Sequence, residues 1–233
     1  MSFFNSAEPI LRSKQEELDF QDRQGLLCFK LKIGDKTLIS AFYTRIDQVF
    51  ILWGLITAQI FITAQFAPIS WVMQAGLWTV LSLIGIVGMV VLTHFWVKVE
   101  RLMWLLYCWA SLMLVGVTLT DFGIFFGCGQ LLMRLCPIWL GLIGFGYFCT
   151  GIGMRSRAFS IASLVHFLGI VLLPFVGGWQ FLTTGLVMTI NLLIFAGVQW
   201  DMRPPIDYNL LTSEQRRFNE EQFQLRQASL AKG

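Results

Sequence analysis

From residue 47 to residue 200 the chain is almost continuously apolar. Only seven charged side chains follow Asp47 in that stretch: Lys98, Glu100, Arg101, Asp121, Arg134, Arg155 and Arg157. A helix rises about 1.5 Å per residue, so about 20 apolar residues cross a hydrocarbon core about 30 Å thick. Six such runs fit: 49–66, 71–97, 102–126, 131–154, 158–176 and 179–200. Pro68 closes the first, a Gly127-Cys128-Gly129 turn precedes the fourth, and Gly177-Gly178 separates the fifth from the sixth. The fold class expected is an all-α integral membrane protein: six transmembrane helices, short turns between them, and both termini cytoplasmic. Residues 1–46 form an N-terminal segment, 47–200 the bundle, and 201–233 a C-terminal tail.

Composition agrees. Charged residues make up 13% of the chain and hydrophobic ones 56%, whereas a soluble domain carries about 25% charged residues. Five scattered cysteines show no CxxC spacing, which argues against a zinc or redox motif and against a disulfide framework. Residues 1–46 hold no short apolar stretch with a small-residue cleavage site, so the first span is expected to direct insertion.

Orientation follows from the basic residues. Sixteen of the seventeen Lys and Arg fall in alternate segments (the two termini, the 2–3 turn and the 4–5 turn), against Arg134 alone on the other side. The positive-inside rule then puts both termini in the cytoplasm or its topological equivalent, in a plasma membrane or an internal energy-converting one. Trp71 and Trp179 mark the outer interface and Trp96, Trp104 and Trp200 the inner one. Trp78 and Trp109 lie deeper.

Outside the spans, residues 6–24 read as a surface helix, with Pro9 early and Gly25 as its stop. Residues 27–33 alternate at period two; after Gly34-Asp35, Thr37 to Ser40 either pair back as a hairpin or lie extended on the headgroups. Pro204-Pro205 end helical structure. Thr212 and Gln215 form a capping box for a last amphipathic helix that presents Phe218 and Leu225 on one face.

Polar residues inside a bilayer are functional candidates. His166 and Asn191 each lie nine residues from the inner end of their spans, about 13 Å deep, on helices joined by a tight turn. Ser111 and Gln59 fall near mid-membrane. Together the four outline a polar pocket in the inner half for a small solute, cofactor or proton; the structural alternative, a His–Asn bond between helices, is favoured. A haem between His94 and His166 is disfavoured because they differ in depth by about 7 Å. Asp121 and Arg134 reach the outer interface on adjacent helices and are expected to pair as two neutralised charges. Gly141, Gly144 and Gly151 form a smooth strip for helix contact, Gly123-x-x-x-Gly127 a second one, and Pro137 a kink.

No nucleotide loop, metalloprotease, hydrolase or haem-attachment motif is present, nor a nucleic-acid surface. Neither enzyme activity nor a cofactor is expected. The partners expected are the bilayer and the subunits of a membrane complex, reached through the cytoplasmic tails. Function is therefore expected to be assembly, stabilisation or tethering of that complex. The alternative is a small permease or channel built on the His166–Asn191 pocket.

Overall fold

The computed structural model describes residues 3–4, 8–33, 36–203 and 209–230. In chain order its elements are β1 (Leu11–Arg12), α1 (Phe20–Arg23), β2 (Leu27–Ile33), β3 (Lys36–Tyr43), α2 (Arg45–Phe66), α3 (Trp71–Val99) and α4 (Met103–Phe125). They continue with α5 (Gly129–Leu132), α6 (Leu135–Met154), α7 (Arg157–Leu172), α8 (Gln180–Gly197), β4 (Gln199–Trp200) and α9 (Ser213–Leu230). Two 3-10 turns, Leu173–Phe175 and Gly177–Trp179, lie between α7 and α8. Six helical stretches, α2, α3, α4, α6, α7 with the 3-10 turn that follows it, and α8 with the one that precedes it, are long and apolar enough to cross a membrane.

Capping chemistry sets where these helices begin. Thr44 and Asp47 form a reciprocal capping box, so α2 starts at Arg45 rather than at residue 49. Ser70 caps α3 and Ser156 caps α7. Pro137 falls in the first turn of α6, which begins at Leu135, and there a missing amide has no intrahelical acceptor to lose. Turns at Arg101, Gly127 and Arg155 close with left-handed residues and the same 6→1 bond, Leu102 N to Val97 O, Cys128 N to Gly123 O and Ser156 N to Gly151 O. Gly127 is thus a turn residue and not half of a helix-contact pair.

Helices α2, α3, α4, α6 and α8 form a closed ring, with α7 packed on α6 and α8. The strip on α6 faces α7: a Cβ on Gly144 would lie 3.3 Å from His166 Cβ, and one on Gly151 2.6 Å from Ser160 Oγ. Inside the ring, Trp96, Leu140, Tyr147, Phe159 and Phe195 belong to one buried cluster. The described segments before α2 and after α8 meet at one end of the ring, here called proximal.

Residues at the boundaries of the bundle depart from the periodic reading. Among the described residues of 6–24, only Phe20–Arg23 is α-helical; Leu11 and Arg12 pair antiparallel with Trp200 and Gln199. Backbone pairing with a distant segment outweighs the local helical preference here. It also draws residues 199–200 off the end of the sixth span. The hairpin does form, with β2 and β3 in register from Leu27↔Tyr43 to Ile33↔Lys36 and a bulge at Leu31/Lys32. Gly34-Asp35 and Pro204-Pro205 lie outside the described residues.

Candidate functional site: a polar cap and a central chamber

The two terminal segments fold together over the proximal end as a polar cap. Four acids are held by four bases, each pair bringing distant segments together: Lys14–Asp47 at 2.7 Å, Arg157–Asp201 at 2.8 Å, Arg226–Asp19 at 2.9 Å and Arg203–Glu100 at 3.8 Å. Gln21 donates to Glu100 at 2.9 Å, and Asn219 of α9 donates to Gln21 at 2.9 Å while accepting from Phe20 N at 2.7 Å. The tail helix is thereby locked to the N-terminal segment, which is in turn locked to α3. Trp96 Nε1 donates to Asp22 at 2.8 Å.

Burial raises several acids of this cap. The Asp22 carboxyl is pushed up to about 7, first by loss of water and then by its neighbour Asp19. Glu100 is pushed up to about 7 as well, by burial that Arg203 only partly offsets. Asp19 and Glu8 are also raised by burial, and Arg12 and Arg203 lowered by it. A cavity of about 130 Å³ runs through the cap, with Arg12, Lys14, Asp22, Trp96 and Glu100 in its walls.

Asp201 is the most heavily bonded acid. Its carboxylate accepts from Ser156 Oγ at 2.9 Å, Arg157 N at 3.0 Å, Arg157 Nε at 2.8 Å and Ala158 N at 3.1 Å. It caps the start of α7 from a different part of the chain, where the helix dipole favours a negative charge.

Inside the ring lies a second cavity of about 130 Å³, lined from α2, α3, α4, α6, α7 and α8 without a charged side chain. Three tryptophans in its wall rest on glycines. Ring atoms of Trp53 lie 2.9 Å from where a Cβ on Gly85 would stand, and those of Trp139 and Trp109 come within 2.6 Å of that position on Gly116 and Gly146. On α4 and α6 the arrangement is reciprocal. Trp109 Nε1 donates to Thr150 Oγ1 at 3.0 Å and Trp139 Nε1 to Thr120 Oγ1 at 3.1 Å, and each threonine donates to the carbonyl of the glycine under that indole. The motif W-x6-G-x3-T, at Trp109-Gly116-Thr120 and again at Trp139-Gly146-Thr150, is legible in the sequence. It is a local repeat, one copy on α4 and one on α6.

The expected polar pocket does not assemble. His166 is fully buried, with Nδ1 2.8 Å from Ala162 O and its ring 5.0 Å from that of Tyr147, while Asn191 donates to Val187 O at 2.9 Å. Each is thus bonded to its own helix, and no hydrogen bond joins them. His166 Nε2 and Tyr147 Oη have no hydrogen-bond partner among the described residues. Ser111 and Gln59 are exposed on the bundle surface. Equal depth does not place two side chains on facing sides of their helices, and rotation about the axis decided against it.

Nor do Asp121 and Arg134 pair. Asp121 accepts from Thr79 of α3 at 2.9 Å, and Arg134 is exposed at the start of α6, separated from α4 by the inserted helix α5. Phe218 is half-covered by the Arg23 guanidinium, 4.6 Å from its ring centre, whereas Leu225 is exposed. Trp96 and Trp200, expected to mark the inner interface, form the floor of the cap: Trp96 is buried, and Trp200 packs edge-on against Phe50 and Phe159.

All five cysteines are free thiols, and among the described residues no three His, Cys, Asp or Glu side chains stand where they would hold a metal ion. Comparison with family models, with curated proteins and with solved structures finds no match.

Proposed function

We propose that this chain is an integral membrane protein with both termini on the cytoplasmic side, and that it assembles, stabilises or tethers a larger membrane complex without catalysing a reaction. The single observation that carries this reading is the cap. Segments from both termini are fixed to each other and to the bundle by buried ion pairs, which gives a rigid surface of constant shape beyond the bilayer. The charge asymmetry of the turns supports the sidedness. A route for ions or small polar solutes finds little support, because the central chamber has no charged wall.

The test is co-purification in gentle detergent. Truncation after Pro205 removes α9 and uncovers Asp19 and Gln21, and it should abolish capture of the partner while the six-helix bundle stays folded. His166→Leu combined with Asn191→Leu should leave capture intact. The reverse pattern, with transport lost in the double variant and capture unaffected by truncation, would establish the permease reading instead.

A further inference from the structure

We propose that the central chamber holds one hydrocarbon chain of an amphiphile, with the polar head seated at the proximal mouth beside Trp96. This goes beyond the assembly role and rests only on placement of the ring in a bilayer.

The dimensions suit a chain. On α2 the lining runs from Ile46 to Phe61, and on the antiparallel α6 from Met154 back to Trp139. Each stretch rises over about 22 Å, so the lining follows the bundle axis. A volume of about 130 Å³ is far above the roughly 10–15 Å³ that one water needs and close to the roughly 150 Å³ of an apolar cavity that takes up benzene, so the chamber seats about six carbons of the chain. Such a space is not ordinary packing, since protein interiors hold few voids larger than a water molecule.

The wall is built to stay open. Gly85, Gly116 and Gly146 allow the indoles of Trp53, Trp139 and Trp109 to lie back against neighbouring helices; any side chain at those positions would drive a ring into the lumen. Thr150 and Thr120 satisfy the indole N–H groups of Trp109 and Trp139, so those two ask nothing polar of the occupant. At the proximal end the character of the wall changes within one side chain. Ile46 and Trp96 line the chamber and also the cap cavity, where Arg12, Lys14, Asp22 and Glu100 take over. An apolar tube ending in a charged vestibule matches the polarity profile of an amphiphile.

The full-length protein, reconstituted in phosphatidylcholine vesicles, would be photolysed with a long-chain fatty acid bearing a mid-chain diazirine, and the adducts mapped by peptide mass spectrometry. Saturable adducts are expected on chamber residues such as Met113, Ile143 and Met188. Filling the chamber with Ile143→Trp and Met188→Trp should lower chamber labelling by about tenfold or more, a change of about 1.4 kcal/mol in occupancy. Labelling of the outward-facing Val80, Val91 and Leu168 should not change. Unlabelled fatty acid, phosphatidylglycerol and an isoprenoid alcohol serve as competitors, and whichever displaces the probe identifies the source of the chain. Adducts confined to outward faces, chamber adducts that do not saturate, equal labelling of the filled variant, or failure of all three competitors would each overturn the proposal. Should the filled variant not accumulate, the wild-type map and its competition decide. A negative co-purification result leaves this readout untouched, so the two proposals fail separately.

Discussion

Asp201→Ala removes one carboxylate from four donors at once: Ser156 Oγ, two backbone amides at the start of α7, and the Arg157 guanidinium. Asp201 is 1% exposed, so water does not replace what is lost on that side. Stranding one partner of a buried ion pair costs about 3–5 kcal/mol, and each buried amide left without an acceptor about 1–3 kcal/mol. Two features reduce the sum. The Arg157 side chain retains 26% of its exposure and keeps its bond to the Glu8 carbonyl, and the first turn of a helix tolerates open amides where water reaches them. The expected loss is therefore about 3 kcal/mol, at the low end of the range for stranded pairs. Asp201→Asn should recover little, because its amide group turns a donor toward the Arg157 donors. Arg157→Ala combined with Asp201→Ala should be less harmful than the two single losses added, since no charge is left unpaired. The assay is equilibrium unfolding of the purified protein by SDS titration in mixed micelles at neutral pH. If Asp201→Ala unfolds within about 0.5 kcal/mol of the parent, a surface-like effect, the view that this carboxylate fastens α7 to the tail is refuted.

Other expectations concern the cap, the ring and the sidedness. Asp22 and Glu100 titrate near 7 when folded, above their usual 3.8 and 4.5. The folded state therefore holds more protons than the unfolded one between about pH 4 and pH 7. Stability of the cap should fall as pH rises through that window and level off above it; hydrogen exchange of α1 and α9 at pH 5 and pH 8 measures this, and Asp22→Asn should flatten the dependence. Thr120→Val orphans the Trp139 indole N–H and should cost about 0.6–1.7 kcal/mol, the range for hydrogen bonds between membrane helices; Trp139→Phe with Thr120→Val should cost no more than Trp139→Phe alone in the same SDS titration. In right-side-out vesicles, with the other cysteines replaced, Cys128 should react with an impermeant thiol reagent and Cys28 only after permeabilisation; labelling in the reverse order refutes the orientation.

The sequence by itself determined the number of long apolar helices, their approximate limits and the shortness of the turns between them, because the hydrocarbon thickness makes length and polarity sufficient signals. It also marked ends correctly through local chemistry, as at Pro68 and Gly127. Rotation of each helix about its own axis was decided only by tertiary packing. Depth along a helix can be counted from residue numbers, but facing cannot, which is why His166 and Asn191 each bond within their own helix and Asp121 finds Thr79 instead of Arg134. The cap was illegible for a related reason: Asp19, Gln21, Glu100, Asn219 and Arg226 look like ordinary surface residues until segments some two hundred positions apart are brought together. The chamber stood between these extremes. Its W-x6-G-x3-T repeat stands in the sequence, yet spacing alone does not say that two antiparallel helices would exchange indoles across their contact. That follows from the ring closing through α8 onto α2, a contact between the first and last spans that no local signal specifies.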